Sequence, residues 1–227
     1  DSISEKNRSY CELTGQYWAW QNTDADYYGF LHYRRYFNFS KTEYPIHHEP
    51  FIFGDVTFDR NDDETLQRID FNEEAMRKVI TAHDFIAPEP IEALEKTTVY
   101  EQYRDSFGHH IEDLDTVMDN IRLKYPDIWP SAQKYLNQTK VYVCNMFVMR
   151  RELFRAYSAF LFDVLSTHEK MRDFSHYSPV ARRVSGYLGE RICGMYLTYL
   201  YDKGYDGIDL QRVYFRNTDD GQRPATA

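Results

Sequence analysis

The sequence predicts an α/β fold in which a central mixed sheet is flanked by helices, and three observations carry that expectation. Stretches with apolar residues at helical spacing alternate with short apolar runs along the chain. The most apolar of those runs, 141–149, is hydrophobic at nearly every position, as a central strand covered on both faces must be. No internal repeat and no low-complexity linker interrupts the 227 residues, so a single domain over 1–216 with a flexible tail over 217–227 is expected.

The elements follow in order. Ser9 and Glu12 have capping-box spacing, and Tyr10, Leu13, Tyr17 and Trp20 recur behind them, which predicts a helix over 9–21. A short strand over 27–32 comes next, its end turning from apolar to cationic at His32-Tyr33-Arg34-Arg35. Residues 38–66 carry Pro, His and acidic clusters with little periodicity and read as an excursion, with a hairpin around 51–58. A helix near 72–82 leads to a strand at 84–87, ended by Pro88 and Pro90. Glu112, Asp113 and Asp115 suit the positive start of a helix whose buried stripe is Leu114, Val117, Met118 and Ile121. A second short helix follows Pro130, and 140–150 is the next strand. Leu153, Tyr157, Phe160, Leu161 and Val164 form the helical face after it. The last long helix carries Leu188, Ile192, Met195, Tyr196 and Tyr199 until Gly204 stops it, and 208–215 adds a final strand.

Composition removes several classes of function. Lys+Arg 27 against Asp+Glu 36 gives a net charge of -9, which disfavours nonspecific binding to nucleic acid or to an anionic membrane. Any phosphate it handles must meet a local cluster of arginines. No apolar run reaches the roughly 18 residues of a membrane span. Cys11, Cys144 and Cys193 are an odd number without metal-ligand spacing and read as reduced core thiols, which favours a cytoplasmic location. The chain opens at Asp1 without a signal peptide, and some natural N-terminal sequence is expected to be missing. With 20 Tyr and 15 Phe, aromatic content is 17%; such rings build cores and also suit grooves that hold sugars or bases.

Four groups could carry chemistry. His32, Arg34 and Arg35 sit where an α/β strand ends, the place at which ligands gather, and two guanidiniums suit a diphosphate. The same arginines could equally pair with surface carboxylates. Asn145 interrupts the most apolar strand, and its amide must be satisfied by the backbone or by a ligand. Glu190 falls opposite the apolar stripe of the last helix, on a side shared with Gly186 and Gly194, and is either a solvated residue or a base reached by something that comes close. His109, His110 and Asp113 invite a metal reading, but adjacent histidines seldom share an ion and helix capping is the simpler account. No hydrolase elbow, dinucleotide or ATPase phosphate loop is present.

Ser4-Glu-Lys-Asn7, Tyr10-Cys-Glu-Leu-Thr14 with Tyr17-Trp18-Ala-Trp20, Asp26-Tyr-Tyr-Gly29 with His32-Tyr-Arg-Arg-Tyr-Phe37, Asn145-Met-Phe-Val-Met149 and Gly186-Tyr-Leu-Gly-Glu-Arg191 together resemble the bacterial family known as domain of unknown function 4422. Its members occur among capsule, exopolysaccharide and O-antigen enzymes. The resemblance runs in order from Asp1 to about residue 200. It implies a glycosyltransferase with a fold similar to the GT-A nucleotide-sugar transferases. The donor it implies is a UDP-sugar, galactofuranose in characterised relatives, and the acceptor a glycan or lipid-linked glycan, with peripheral contact at the inner membrane face and no nucleic-acid partner. Members usually carry a leading strand before the stretch that opens here at Asp1, and that strand belongs to the nucleotide pocket.

Residues and resemblance together assign His32, Arg34 and Arg35 to the donor diphosphate, where guanidinium charge takes the place of the divalent ion that many GT-A enzymes hold with an Asp-x-Asp. No cofactor is required in this scheme. Asp24-Ala-Asp26 leaves room for a metal but lies at the wrong end of its strand. Glu190 is the expected base, with Asp113 second; Asn145 would contact sugar hydroxyls, and Asn7, Glu12 and Thr14 would line the donor pocket. Tyr33, His109, His110 and Arg191 complete the expected donor and acceptor set. A noncatalytic carbohydrate-binding or scaffolding protein, and a nucleotide-sugar hydrolase or phosphatase, are the competing readings.

Overall fold

The computed structural model describes residues 1–49, 52–93 and 96–218. A 3-10 turn at Ser4–Lys6 leads into the one-turn helix α1 (Asn7–Tyr10), and α2 (Leu13–Asn22) follows. The single helix expected over 9–21 is therefore broken. At Cys11 φ is 51° and ψ is -128°, a backbone no right-handed helix can continue through. Asn7 Nδ2 and Thr14 Oγ1 donate to the freed Cys11 carbonyl at 3.1 and 2.9 Å. Ser9 makes no capping box; its hydroxyl lies 2.9 Å from that of Ser185.

After β1 (Tyr27–Phe30) the chain turns at His32, which bridges Arg35, and enters β2 (Arg35–Phe37). The cationic segment is thus a link between two sheets, and Arg35 already belongs to the second. The stretch read as an excursion contains β3 (Ile46–Glu49), β4 (Ile52–Arg60) and α3 (Asp63–Arg68). The hairpin expected around 51–58 is displaced: 52–60 is one strand, β4, and it pairs antiparallel with β3 before it; Phe51 lies outside the described residues. Next come α4 (Glu73–Ile80), capped by Asn72, then β5 (Phe85–Pro88) and β6 (Ile91–Glu92). A capping box opens α5 (Val99–Asp105) at Thr98 and Glu101. Helices α6 (Ile111–Lys124) and α7 (Trp129–Asn137) precede β7 (Lys140–Val141) and β8 (Phe147–Arg150). The strand expected over 140–150 is split because Cys144 and Asn145 both take positive φ, 74° and 49°. Helix α8 (Arg151–Met171), a 3-10 turn at Ala181–Arg183, α9 (Val184–Asp202), β9 (Gly207–Leu210) and β10 (Arg212–Asn217) complete the order. The final strand expected over 208–215 is two strands, in different sheets, and the second runs through Asn217; the proposed tail from 219 onward lies outside the described residues.

The first sheet has the order β1-β8-β5-β9, with β8 antiparallel to both neighbours and β5 parallel to β9. Strand alternation sends Phe85, Ala87, Phe147 and Met149 to one face, where they join the large core formed with α6 to α9. Ile86 and Val148 point the other way, onto Phe37, Phe39 and helix α4. Both faces are covered, which explains the unbroken apolar sequence of the central strand. The mixed sheet flanked by helices is the expected architecture. The second sheet, β2-β10-β4-β3, packs Val56, Val213 and Phe215 against Ile69 near α3.

Helix α9 corrects the picture of one apolar stripe. It is buried almost all round, because its glycines let neighbours close in. A Cβ on Gly189 would fall 2.6 Å from Leu13, and one on Gly194 2.1 Å from the Tyr135 ring. The side shared by Gly186, Glu190 and Gly194 is a packing face, with α1, α2 and α7 as the partners that approach it.

Asp113, the second candidate base, closes a separate lock beneath the large core. Its carboxylate is fully buried and takes hydrogen bonds from His168 (2.9 Å) and Arg172 (3.0 Å) on Oδ1 and from Tyr177 (2.8 Å) on Oδ2. Burial pushes its pKa up, but hydrogen bonds from His168 and Tyr177, the field of His168 and the Arg172 guanidinium outweigh it and hold the group below the usual carboxylate range. The lock ties α6 to the end of α8 and to the segment that leads into α9.

Gly194→Ala should destabilise by roughly 1–3 kcal/mol, read as a lower urea midpoint at unchanged slope; an unchanged midpoint would show that Tyr135 yields freely. Asp113→Asn should cost on the order of 3 kcal/mol at neutral pH by leaving buried partners uncompensated. A depressed carboxylate contributes stability above its ordinary value of about 3.9 and loses it as pH falls toward the depressed one. The melting temperature of the Asn variant should therefore drop less than wild type between pH 5 and pH 3, and an equal drop would contradict the assignment.

Candidate functional site

The pairing of the first sheet brings several chain segments to one edge. Phe30, at the end of β1, pairs with Phe147 at the start of β8; β5 runs against β8 and alongside β9, so these two strands also finish there. The carboxyl ends of β1, β5 and β9 therefore surround the Cys144–Asn145 turn that feeds β8. Such an edge is where open α/β sheets hold ligands.

Two carboxylates converge on that turn. Asn145 Nδ2 donates to Glu12 Oε1 at 2.7 Å, and the Cys144 backbone N–H donates to Glu190 Oε1 at 3.1 Å. The turn's left-handed backbone is what aims consecutive groups at helices α2 and α9, and Cys144 and Asn145, which lack the freedom of glycine, hold it. Asn145 is 6% exposed and its Oδ1 has no hydrogen-bond partner among the described residues. The half of the amide that the backbone or Glu12 leaves unsatisfied is an acceptor, at a cost of roughly 1–3 kcal/mol. Glu190 is half-buried, not solvated. Burial raises its pKa; Arg191 opposes the rise, the Glu12 carboxylate adds to it, and the Cys144 N–H and Arg212 pull back.

The cationic turn follows β1 at the same edge. His32 Nδ1 accepts from the Arg34 backbone N–H at 3.3 Å, and burial, followed by the charges of Arg35 and Arg34, lowers the imidazole to about 4, so it is neutral at pH 7. Tyr33 is 67% exposed beside it. Arg34 reaches the Tyr214 hydroxyl at 3.4 Å, and the Arg35 guanidinium lies 4.9 Å from the Tyr214 ring centroid. Arg35 Nε donates to Asp55 Oδ2 at 3.1 Å, and Arg212 Nε donates to Asp55 Oδ1. Sequence reading missed Asp55 and Arg212. The available signal was a carboxylate inside one strand-forming run and an arginine opening another; their pairing, across 157 positions, is visible only once β4 and β10 are neighbours. Asp209 and Glu89 also stand at this edge, both with pKa raised first by burial.

The other expected residues lie apart. Asp113 is shut inside its lock. His109 sits between the rings of Tyr103 and Tyr187, centroids 4.4 and 4.2 Å away, and burial lowers it to about 4. His110 stands at the start of α6 without capping it through its side chain and stacks on Tyr177 at 4.3 Å. Arg191 points away from Glu190 to Gln102 Oε1, 2.5 Å distant. Asn7 and Thr14 brace the Cys11 kink, adjacent to Glu12. Asp24 and Asp26 meet Arg151 and Arg155, and as a donor set already bound to guanidiniums at the far end of β1 they do not fit a metal that serves the Cys144–Asn145 edge.

No curated protein matches the sequence. In structure the chain is similar to the apo form of the bifunctional glycosyltransferase WbbM, with a TM-score of 0.88, 31% identity and 96% of this chain aligned. It spans 38% of that protein's length. Residues 1–201 match the family described as domain of unknown function DUF4422, and the chain belongs to that family.

Proposed function

We propose that the chain is a glycosyltransferase that moves a sugar from a UDP-sugar to a glycan or lipid-linked glycan acceptor of a bacterial surface polysaccharide. One observation carries the reading: a half-buried carboxylate with a raised pKa, Glu190, and an unsatisfied amide oxygen, on Asn145, share a sheet edge with a turn rich in arginine. Likeness to a solved glycosyltransferase supports it. Galactofuranose is the sugar that family resemblance suggests. The site belongs on the cytoplasmic side, with peripheral contact at the membrane; no helix among the described residues is long and apolar enough to cross one.

The chemistry is a single displacement that inverts the anomeric centre. The Glu190 carboxylate takes the proton of an acceptor hydroxyl as that oxygen attacks the anomeric carbon. The bond from this carbon to the diphosphate oxygen breaks, and the electron pair leaves with UDP. Arg34 and Arg35 stabilise the negative charge that develops there, and neutral His32, whose Nδ1 accepts from the Arg34 backbone N–H, donates a hydrogen bond from Nε2 without adding charge. Asn145 Oδ1 accepts from a sugar hydroxyl, which satisfies the buried oxygen, while Glu12 orients the amide.

The base must be ionised to work, and a raised pKa keeps it protonated to higher pH than a free glutamate, whose ordinary value is about 4.3. Transfer rate should therefore rise with pH along an acid limb displaced above that value. Glu190→Gln should remove the limb and lower kcat by roughly 10²–10⁴-fold with UDP affinity little changed, measured by UDP release and calorimetry; wild-type turnover in this variant would refute the assignment. Transfer should also survive EDTA. Strict Mn²⁺ dependence, together with an Arg34→Ala variant at full rate, would show that guanidinium charge does not carry the leaving group.

A further inference from the structure

We propose that buried Asp55 is a positioning residue that holds Arg35 and Arg212 as a paired guanidinium site for the donor diphosphate, which makes Arg212 a donor-binding residue alongside the cationic turn. The inference rests on the glycosyltransferase reading and adds to it a site built by the second sheet.

The register of that sheet places the three side chains together. Val213 pairs with Val56 in parallel, so Arg212 and Asp55, each one residue earlier, are neighbours on the same face. Arg35 pairs with Tyr214 across the antiparallel β2–β10 ladder, and Tyr214 shares its face with Arg212 two residues away. The opposite face of these strands carries Val56, Val213 and Phe215 into the core. Sequence alternation alone thus sends Asp55, Arg35 and Arg212 to one side and the apolar residues to the other. Gly54 tightens the arrangement: with φ at 69°, a Cβ there would lie 4.0 Å from an Arg212 nitrogen and collide with Ile91 at 2.3 Å.

The cluster faces the proposed reaction centre. Arg35 follows the turn after β1 and Arg212 stands two residues past the end of β9, two strands whose carboxyl ends flank the Cys144–Asn145 turn, and the charges of both guanidiniums reach the Cys144 thiol. Each arginine meets Asp55 through Nε, which fixes the plane of its fork; planar forks of fixed direction match phosphoryl oxygens better than a mobile ammonium does. Arg212 is 2% exposed and Asp55 0%. Ion pairs buried this deeply rarely stabilise a fold more than apolar residues of the same volume, so a carboxylate that organises two arginines at a ligand edge is better explained by what the arginines hold.

Calorimetric titration of the purified chain with UDP, uridine and inorganic pyrophosphate tests this, with folding of each variant checked by circular dichroism. Asp55→Asn should weaken UDP and pyrophosphate by about 10- to 100-fold and leave uridine within about twofold. Arg212→Lys, which keeps charge and loses the fork, should shift the same ratio in the same direction and serves as the test if Asp55→Asn does not fold. Proportional losses for UDP and uridine would mean that Asp55 is merely structural, and unchanged UDP binding would exclude Arg212 from the site; either overturns the inference. Pyrophosphate separates this from failure of the broader reading. A wild-type chain that binds pyrophosphate in an Asp55-dependent way but ignores UDP would retain the paired site and lose the nucleotide assignment, and one that binds neither overturns both.

Discussion

The positive-φ pair Cys144 and Asn145 is the constraint on which the rest of the molecule turns. The chain leaves β7, antiparallel to β6, and enters β8, antiparallel to β5, as the strand between β1 and β5; the left-handed turn absorbs the change of register between the two pairings. It also spends the polar groups of those two residues outward, on Glu190 and Glu12, so that one backbone irregularity both starts the central strand and joins helices α2 and α9 to the sheet edge. Backbone strain of this kind, about 1–3 kcal/mol per residue, persists only where the surroundings over-determine it. Here they do: β8 is fastened by ladders on both sides, and α9 is clamped by neighbours that its glycines admit.

Local pattern revealed the elements whose stability is local. Helices α4, α6 and α7 and the final long helix follow from apolar spacing, caps and the Pro130 and Gly204 signals, and Gly204 indeed takes φ of 80° after α9. The second sheet was illegible for a physical reason. Strand-forming runs near 51–58 and 208–215 were visible, but the ladder that joins β4 to β10 pairs residues 157 positions apart, which no local pattern reports. The break at Cys11 was equally hidden, because the spacing of Tyr10, Leu13 and Tyr17 is helical on both sides of a kink that Asn7 and Thr14 secure from outside that pattern.

For the site, residue type was legible and company was not. Asn145, Arg34 and Arg35 stood out as polar groups in an apolar or strand-ending context, Glu190 as a carboxylate among helix glycines and Glu12 through family resemblance, and the fold brings them to one edge. His109 and His110 stood out as adjacent imidazoles and Arg191 through family resemblance, yet aromatic rings and Gln102 are the partners they find. Tyrosine abundance resolves similarly. Tyr10, Tyr28, Tyr103, Tyr135, Tyr142, Tyr157 and Tyr196 are all buried, and the hydroxyl of Tyr135 serves the Tyr142 backbone N–H at 3.1 Å. These seven rings are core with a polar tip, whereas Tyr33 stays 67% exposed at the cationic turn.

Two carboxylates on long helices, Asp113 fully buried and Glu190 half-buried, show why burial by itself does not identify a base. Asp113 receives three hydrogen bonds from side chains that include a guanidinium, and its charged form is the more stable one. A carboxylate so fully bonded must lose an interaction whenever it gains a proton, so it anchors and does not exchange. Glu190 has a single backbone donor on one oxygen and a second carboxylate, Glu12, close enough to oppose its charge. Its ionised form is the strained one, and accepting a proton relieves repulsion without breaking a network. That difference in partners, which arises from where α6 and α9 meet the rest of the chain, separates the residue that holds the fold from the residue suited to take a proton from an incoming hydroxyl.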